Sequence, residues 1–257
     1  MQTRPRITSV AIILVIVTVS ASISIPFIYA FGQTSAAGLY NNKPLILPLR
    51  IKHLIILIPD EAHESLNQPK DQYPFINQAY LPQNAVINAG TMVVWFNGDV
   101  DHDHKINLSN DRNPESVLFD TRVFAFNEAS RPIVLNDTGT YNYYEGNVND
   151  NDRDFVMRGN ITVISEANLN PDNSTSSLSN AGTAGVLMVP TQDIGNYVQN
   201  LKSKGFAIDS MHNFKDLRGG QKGTGDQQTL LVWTTTESDL DQVISTLKEL
   251  TQELPYS

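Results

Sequence analysis

The chain of 257 residues contains no cysteine. That absence excludes disulfides, a thiolate nucleophile, an iron–sulfur cluster and any zinc site built on thiolates. Basic residues are scarce: 18 Lys and Arg stand against 27 Asp and Glu, a formal charge of −9. Nucleic-acid-binding proteins carry a basic face, so the balance argues against a nucleic-acid partner. No Ser/His/Asp constellation can be assigned from spacing, and no catalytic residue is predicted. Charge is also missing from the whole stretch between Arg6 and Lys43.

Within that stretch Ile7 to Phe31 is mostly apolar. A signal-peptide core has ~7–15 apolar residues and a spanning helix needs ~20, so length favours a membrane anchor over residues 1–32. Arg4 and Arg6 place its N-terminal side in the cytoplasm. The expected location is the cell membrane, single-pass, with the bulk of the chain outside. Cleavage near Ala30 or Gly32 would instead release a secreted protein. Sequons at Asn107, Asn136, Asn160 and Asn173 agree with an extracytoplasmic glycoprotein.

Residues 33–52, with Pro44 and Pro48, read as a spacer. His53 to Ile58 is an unbroken apolar run, the pattern of a buried strand. Further strands are expected over Ser116–Phe119, Arg122–Phe126 and Pro132–Leu135. In Gly139 to Glu145, Tyr141, Tyr143 and Glu145 share one parity and therefore one face; Ile161 and Val163 do the same later. Short strands with turn residues between them predict an all-β sandwich over 53–165.

A Ser/Asn-rich linker follows over 166–182. Residues 183–257 then change pattern, with a strand at Val186–Val189 and a helix carrying Ile194, Tyr197, Val198 and Leu201 on one face. Two strands and a last helix, capped by Ser238 and Asp241, complete a β-α-β-β-α order. That order resembles a ferredoxin-like fold without its final strand. The predicted class is thus mainly β plus α+β: a transmembrane helix, a sandwich, then a small module that recruits a protein partner.

Two motifs resemble the cupredoxins, the plastocyanin and azurin family. Tyr80-Leu81-Pro82 through Trp95-Phe96-Asn97-Gly98-Asp99 is similar to the family's run into its first histidine ligand. Gly139-Thr140-Tyr141-Asn142-Tyr143-Tyr144-Glu145, ending in Met157-Arg158-Gly159-Asn160-Ile161-Thr162-Val163, is similar to its second ligand segment. The resemblance implies a Greek-key β-sandwich with His104 as a ligand, one residue later than the family spacing, and Met157 as the axial methionine. It also places Glu145 where the family has its copper-binding cysteine. No histidine lies between Glu145 and Met157. A blue-copper electron carrier is therefore rejected.

What remains is a carboxylate-rich end with histidines. His104, His102, Glu145 and Met157 form a candidate site for copper or a similar divalent ion, without cysteine. Calcium is the alternative, because Asp99, Asp101 and Asp103, and Asp150, Asp152 and Asp154, alternate like the start of an oxygen-ligand loop. Solvated loops are the plainer reading: like charges ~4 Å apart cost only about 1 kcal/mol in water. Three functions follow: metal binding at the membrane, a metal-free interaction module, or a type 2 copper oxidoreductase. The last needs further ligands from His53, His63 or another subunit.

Overall fold

A computed structural model describes residues 35–59, 78–100, 102–146, 157–165, 182–215 and 227–252. In chain order these form α1 (Ala36–Tyr40), β1 (Leu45–Ile46), β2 (Ile51–Ile58), β3 (Asn84–Asn88), β4 (Thr91–Asn97) and β5 (Ile106–Asn110). Then come β6 (Phe119–Asp120), β7 (Ile133–Leu135), β8 (Gly139–Glu145), β9 (Arg158–Ile164) and β10 (Gly182–Pro190). The chain closes with α2 (Ile194–Ser203), β11 (Phe206–Lys215), β12 (Gln227–Thr235) and α3 (Leu240–Gln252).

The strands make two sheets of six, ordered β1-β3-β9-β8-β5-β6 and β11-β12-β10-β2-β4-β7. Alternation selects what each strand of the first sheet gives the core. Ile106 and Leu108 of β5, Tyr141 and Tyr143 of β8, and Ile161 and Val163 of β9 are buried. Trp95 of β4 meets them from the second sheet, its ring 5.4 Å from Tyr143 in an edge-on contact, and Tyr80 lies 4.9 Å from Tyr143. This is the cupredoxin-like sandwich that the two motifs imply. Gly90, at a φ of +84°, makes the turn between β3 and β4.

The expected separation of a sandwich from a C-terminal module is corrected. β10 pairs in parallel with β2, setting Ala184 beside Leu54 and Gly185 beside Ile55, so one sheet runs through both regions. The edge that the missing ferredoxin-like strand would fill is taken by β2. Residues 31–257 accordingly form one compact unit. The physical reason is visible in β2, β4, β10 and β12, each a nearly continuous run of buried residues. Such strands need cover on both faces. The first sheet covers one; α2 packs on β10 and β11, and the buried face of α3 belongs to the same core.

Smaller expectations change as well. The spacer contributes α1, β1 and the start of β2 rather than a free tether. Arg122–Phe126 is no strand, although Phe124 makes a single bridge to His104. Asp239, not Ser238, caps α3, its Oδ1 accepting from the Asp241 and Gln242 N–H groups.

The membrane-spanning helix is also corrected. No helix among the described residues is long and apolar enough to cross a membrane. The longest, α3, has 13 residues, against the ~20 that a span requires. Residues 1–32, where the anchor was expected, lie outside the described residues. The cell-membrane location and the membrane as partner rested on that helix and are not carried further.

Candidate functional site: a buried carboxylate–histidine–carboxylate triad

β4 delivers its last residue, Asn97, fully buried at the end of an otherwise apolar strand. Buried amides must find partners, and Asn97 organises the following loop in doing so. Its Oδ1 accepts the Asp99 N–H at 2.8 Å, and its Nδ2 donates to the His102 and Phe124 carbonyls at 2.8 and 3.4 Å. The backbone N–H of Asn127 closes on the Asn97 carbonyl at 2.8 Å. Gly98 allows the loop to pass Ile58, whose carbonyl would sit 3.0 Å from any Cβ there. Asp99 is thereby turned inward.

The chain returns through His104, whose backbone exchanges two hydrogen bonds with Phe124. Parity puts its ring on the buried face with Ile106 and Leu108. Ile106 pairs with Glu145, so the register of β5 on β8 brings the last side chain of β8 to the same place. His104 Nδ1 lies 2.8 Å from Glu145 Oε2, and His104 Nε2 lies 3.3 Å from Asp99 Oδ2. Glu145 Oε1 also accepts the Lys105 N–H at 3.0 Å. Asp99, His104 and Glu145 are 0%, 3% and 7% exposed, so the triad is nearly dry.

Carboxylates only accept hydrogen bonds, so an imidazole held between two of them must donate from both nitrogens. Burial by itself pulls the His104 pKa down, but the hydrogen bonds and charges of Asp99 and Glu145 outweigh it and hold the ring at about 9. Asp99 answers in kind: burial pushes its carboxyl up, while His104 and, less, His102 bring it below the ordinary carboxylate range. The raised pKa favours a protonated His104 ring at neutral pH, facing Asp99 and Glu145.

The metal-site expectation is corrected on this geometry. A metal ligates an imidazole through a lone pair, and each His104 ring nitrogen already faces a carboxyl oxygen, at 2.8 and 3.3 Å. His102 is 46% exposed in its side chain, with Nδ1 3.4 Å from Asp99 Oδ1. Met157 is buried and near in the chain path, its carbonyl accepting the Glu145 N–H at 3.2 Å. Among the described residues no group of three or more His, Cys, Asp or Glu is arranged to hold a metal ion. No cluster among the described residues confirms a specific copper or calcium site.

For the calcium alternative, Asp101, Asp150, Asp152 and Asp154 lie outside the described residues. Asp103 is exposed, whereas Asp99 is buried against His104. His53 cannot complete a type 2 copper site. It pairs with Met92 near the start of β4, five residues before the Ile58–Asn97 pair, about 16 Å along the strand. His63 lies outside the described residues. Of the sequons, Asn136 is exposed, Asn107 and Asn160 are half-buried, and Asn173 is not described. Asn160 Nδ2 donates to Asn84 Oδ1 at 2.8 Å.

No family model and no curated protein matches the chain. Among solved structures it is similar to a purple cupredoxin from Nitrosopumilus maritimus, at 22% identity and a TM-score of 0.30, over 43% of this chain and 99% of that one. It is similar to oxidized plastocyanin from Dryopteris crassirhizoma at 16% identity and a TM-score of 0.29, over 43% and 99% of the two chains. A copper(I) form of an amicyanin variant matches at 15% identity and a TM-score of 0.28, over 44% and 82%.

Proposed function

We propose that the chain is an interaction or structural module on a cupredoxin-like scaffold, in which a proton replaces the metal. The observation that carries this reading is the pair of carboxylates on His104, one at each ring nitrogen. The triad joins the loop after β4, the approach to β5 and the end of β8, the segments a metal would tie together in the resemblance. An internal imidazolium supplies that tie without an ion to load or lose. The extended second sheet and its helices add a surface that the sandwich alone would not have.

Copper or calcium at this site is the competing reading, and it requires His104 to give up a proton or both carboxylates to leave it. The deciding experiment titrates the purified full chain with copper(II) and with calcium by calorimetry at pH 7, followed by elemental analysis after gel filtration. The reading expects no stoichiometric uptake of either ion. One equivalent of copper retained by the protein and lost in His104→Gln would overturn it.

A further inference from the structure

Among the described residues no helix makes an extensive contact with the first sheet. α1 and α2 pack on strands of the second sheet, and the outer face of the first sheet presents the residues that alternation keeps from the core. Register places Asn84 of β3, Asn160 of β9 and Asn142 of β8 side by side. Neighbouring strands are about 4.8 Å apart, so three amides form a line across the sheet. The adjoining row holds Arg158, Tyr144 and Asn107, again in register. All except the exposed Arg158 are half-buried.

The amides are anchored but not spent. Asn160 Nδ2 donates to Asn84 Oδ1 at 2.8 Å, and Asn142 Nδ2 donates to Asp111 Oδ1 at 2.7 Å. These bonds fix the orientation of three side chains. Among the described residues they leave Asn84 Nδ2, Asn160 Oδ1, Asn142 Oδ1 and both polar atoms of Asn107 without a partner in the protein. Tyr144 adds an aromatic ring and a hydroxyl to the same face.

We infer that this face binds a neutral oligosaccharide laid across the strands. A sugar hydroxyl both donates and accepts, so it can meet an amide oxygen at one position and an amide nitrogen at the next. The C–H face of a pyranose packs on an aromatic ring, which Tyr144 supplies. A dry protein partner would bury these amides unpaired, at a cost that disfavours it. Polyanions are opposed by a chain of net charge −9. The inference deepens the interaction-module reading and rests on it.

The test is a titration of the ¹⁵N-labelled full chain with cellohexaose and, separately, chitohexaose to millimolar concentration. Expected are shifts in the side-chain amides of Asn84, Asn142 and Asn160 and in the Tyr144 ring, with at least one of the two sugars. Tyr144→Ala and Asn142→Ala should each weaken that binding tenfold or more, while Met211→Ala, at an exposed position on β11 of the second sheet, leaves it within twofold. Tyr144→Phe separates ring from hydroxyl and keeps the fold in view, since it should retain most of the affinity. Absence of shifts with both sugars, shifts centred elsewhere, or binding indifferent to Tyr144→Ala would overturn the inference. Metal uptake, the failure of the parent reading, is measured separately and leaves these spectra independent.

Discussion

His104 Nδ1 lies 2.8 Å from Glu145 Oε2 because Ile106 and Glu145 are register partners on adjacent strands. The contact depends on a single sheet register, and a slip of one residue would turn His104 to solvent and Glu145 away from it. Asp99, set by Asn97, then closes on the opposite nitrogen. A centre assembled from the end of β8 and the segment between β4 and β5 acts as a structural staple. Its consequences are measurable.

Stability should depend on pH with a sign fixed by His104. Its pKa is raised from the ordinary 6.5 to about 9, so its contribution is complete below 6.5 and is lost as pH rises through 9. A shift of that size corresponds to on the order of 3 kcal/mol. Asp99, held below its ordinary value, contributes above the usual carboxylate range and loses that contribution as pH falls through its lowered pKa. Urea midpoints measured from pH 3 to pH 10 should show a plateau that falls at both ends. The alkaline fall should disappear in His104→Gln.

Removing the cation should cost more than removing either acid. His104→Ala leaves two carboxylates facing one another in a buried site, a loss of about 3–5 kcal/mol. Glu145→Gln keeps the shape and an acceptor for the Lys105 N–H, and should cost about 1–3 kcal/mol. Equal costs, read from chemical denaturation at pH 7, would show that the charges are solvated.

Residues 183–257 should prove inseparable from the sandwich. A chain ending at Ser165 would strip β10 from β2 and expose the apolar faces of β2 and β4. Such open edges aggregate. Expression of that truncation should give insoluble or molten material; a dispersed amide spectrum with a cooperative melt would refute the continuous sheet.

Gly159 is the position where the aromatic core tolerates least. A Cβ there would collide with the Tyr143 phenol and with the Gln83 carbonyl, which is backbone and cannot swing aside. Tyr143 donates to that same carbonyl at 2.8 Å. Gly159→Ala should destabilise by about 1–3 kcal/mol, as overpacking does, measured by the shift in melting temperature.

Much of the sandwich was legible because alternation is local. Tyr141, Tyr143 and Glu145 share a face by parity alone, as do His104, Ile106 and Leu108, and the structure buries all six. The pairing of β10 with β2 joins segments more than 120 residues apart, and parity says nothing about which edge a strand will seek. A clue existed in His53–Ile58 and Val186–Val189, both apolar without alternation, which demands cover on two faces. In the sequence Asp99 reads as a calcium ligand or as one acid of a solvated loop. Its burial follows from Asn97, an amide at the end of a buried apolar strand, and that misplaced polarity was the available signal. Which donors meet a histidine, and hence whether it is a ligand or an imidazolium, depends on distances that spacing does not carry.

The most direct test of the central claim is the ¹⁵N and ¹H NMR of the His104 ring in the full chain at pH 7, before and after one equivalent of copper(II). Two protonated ring nitrogens, each with a slowly exchanging N–H, and a signal that survives copper are predicted. A neutral ring with one bare nitrogen, or a His104 signal broadened away by stoichiometric copper, would contradict the account.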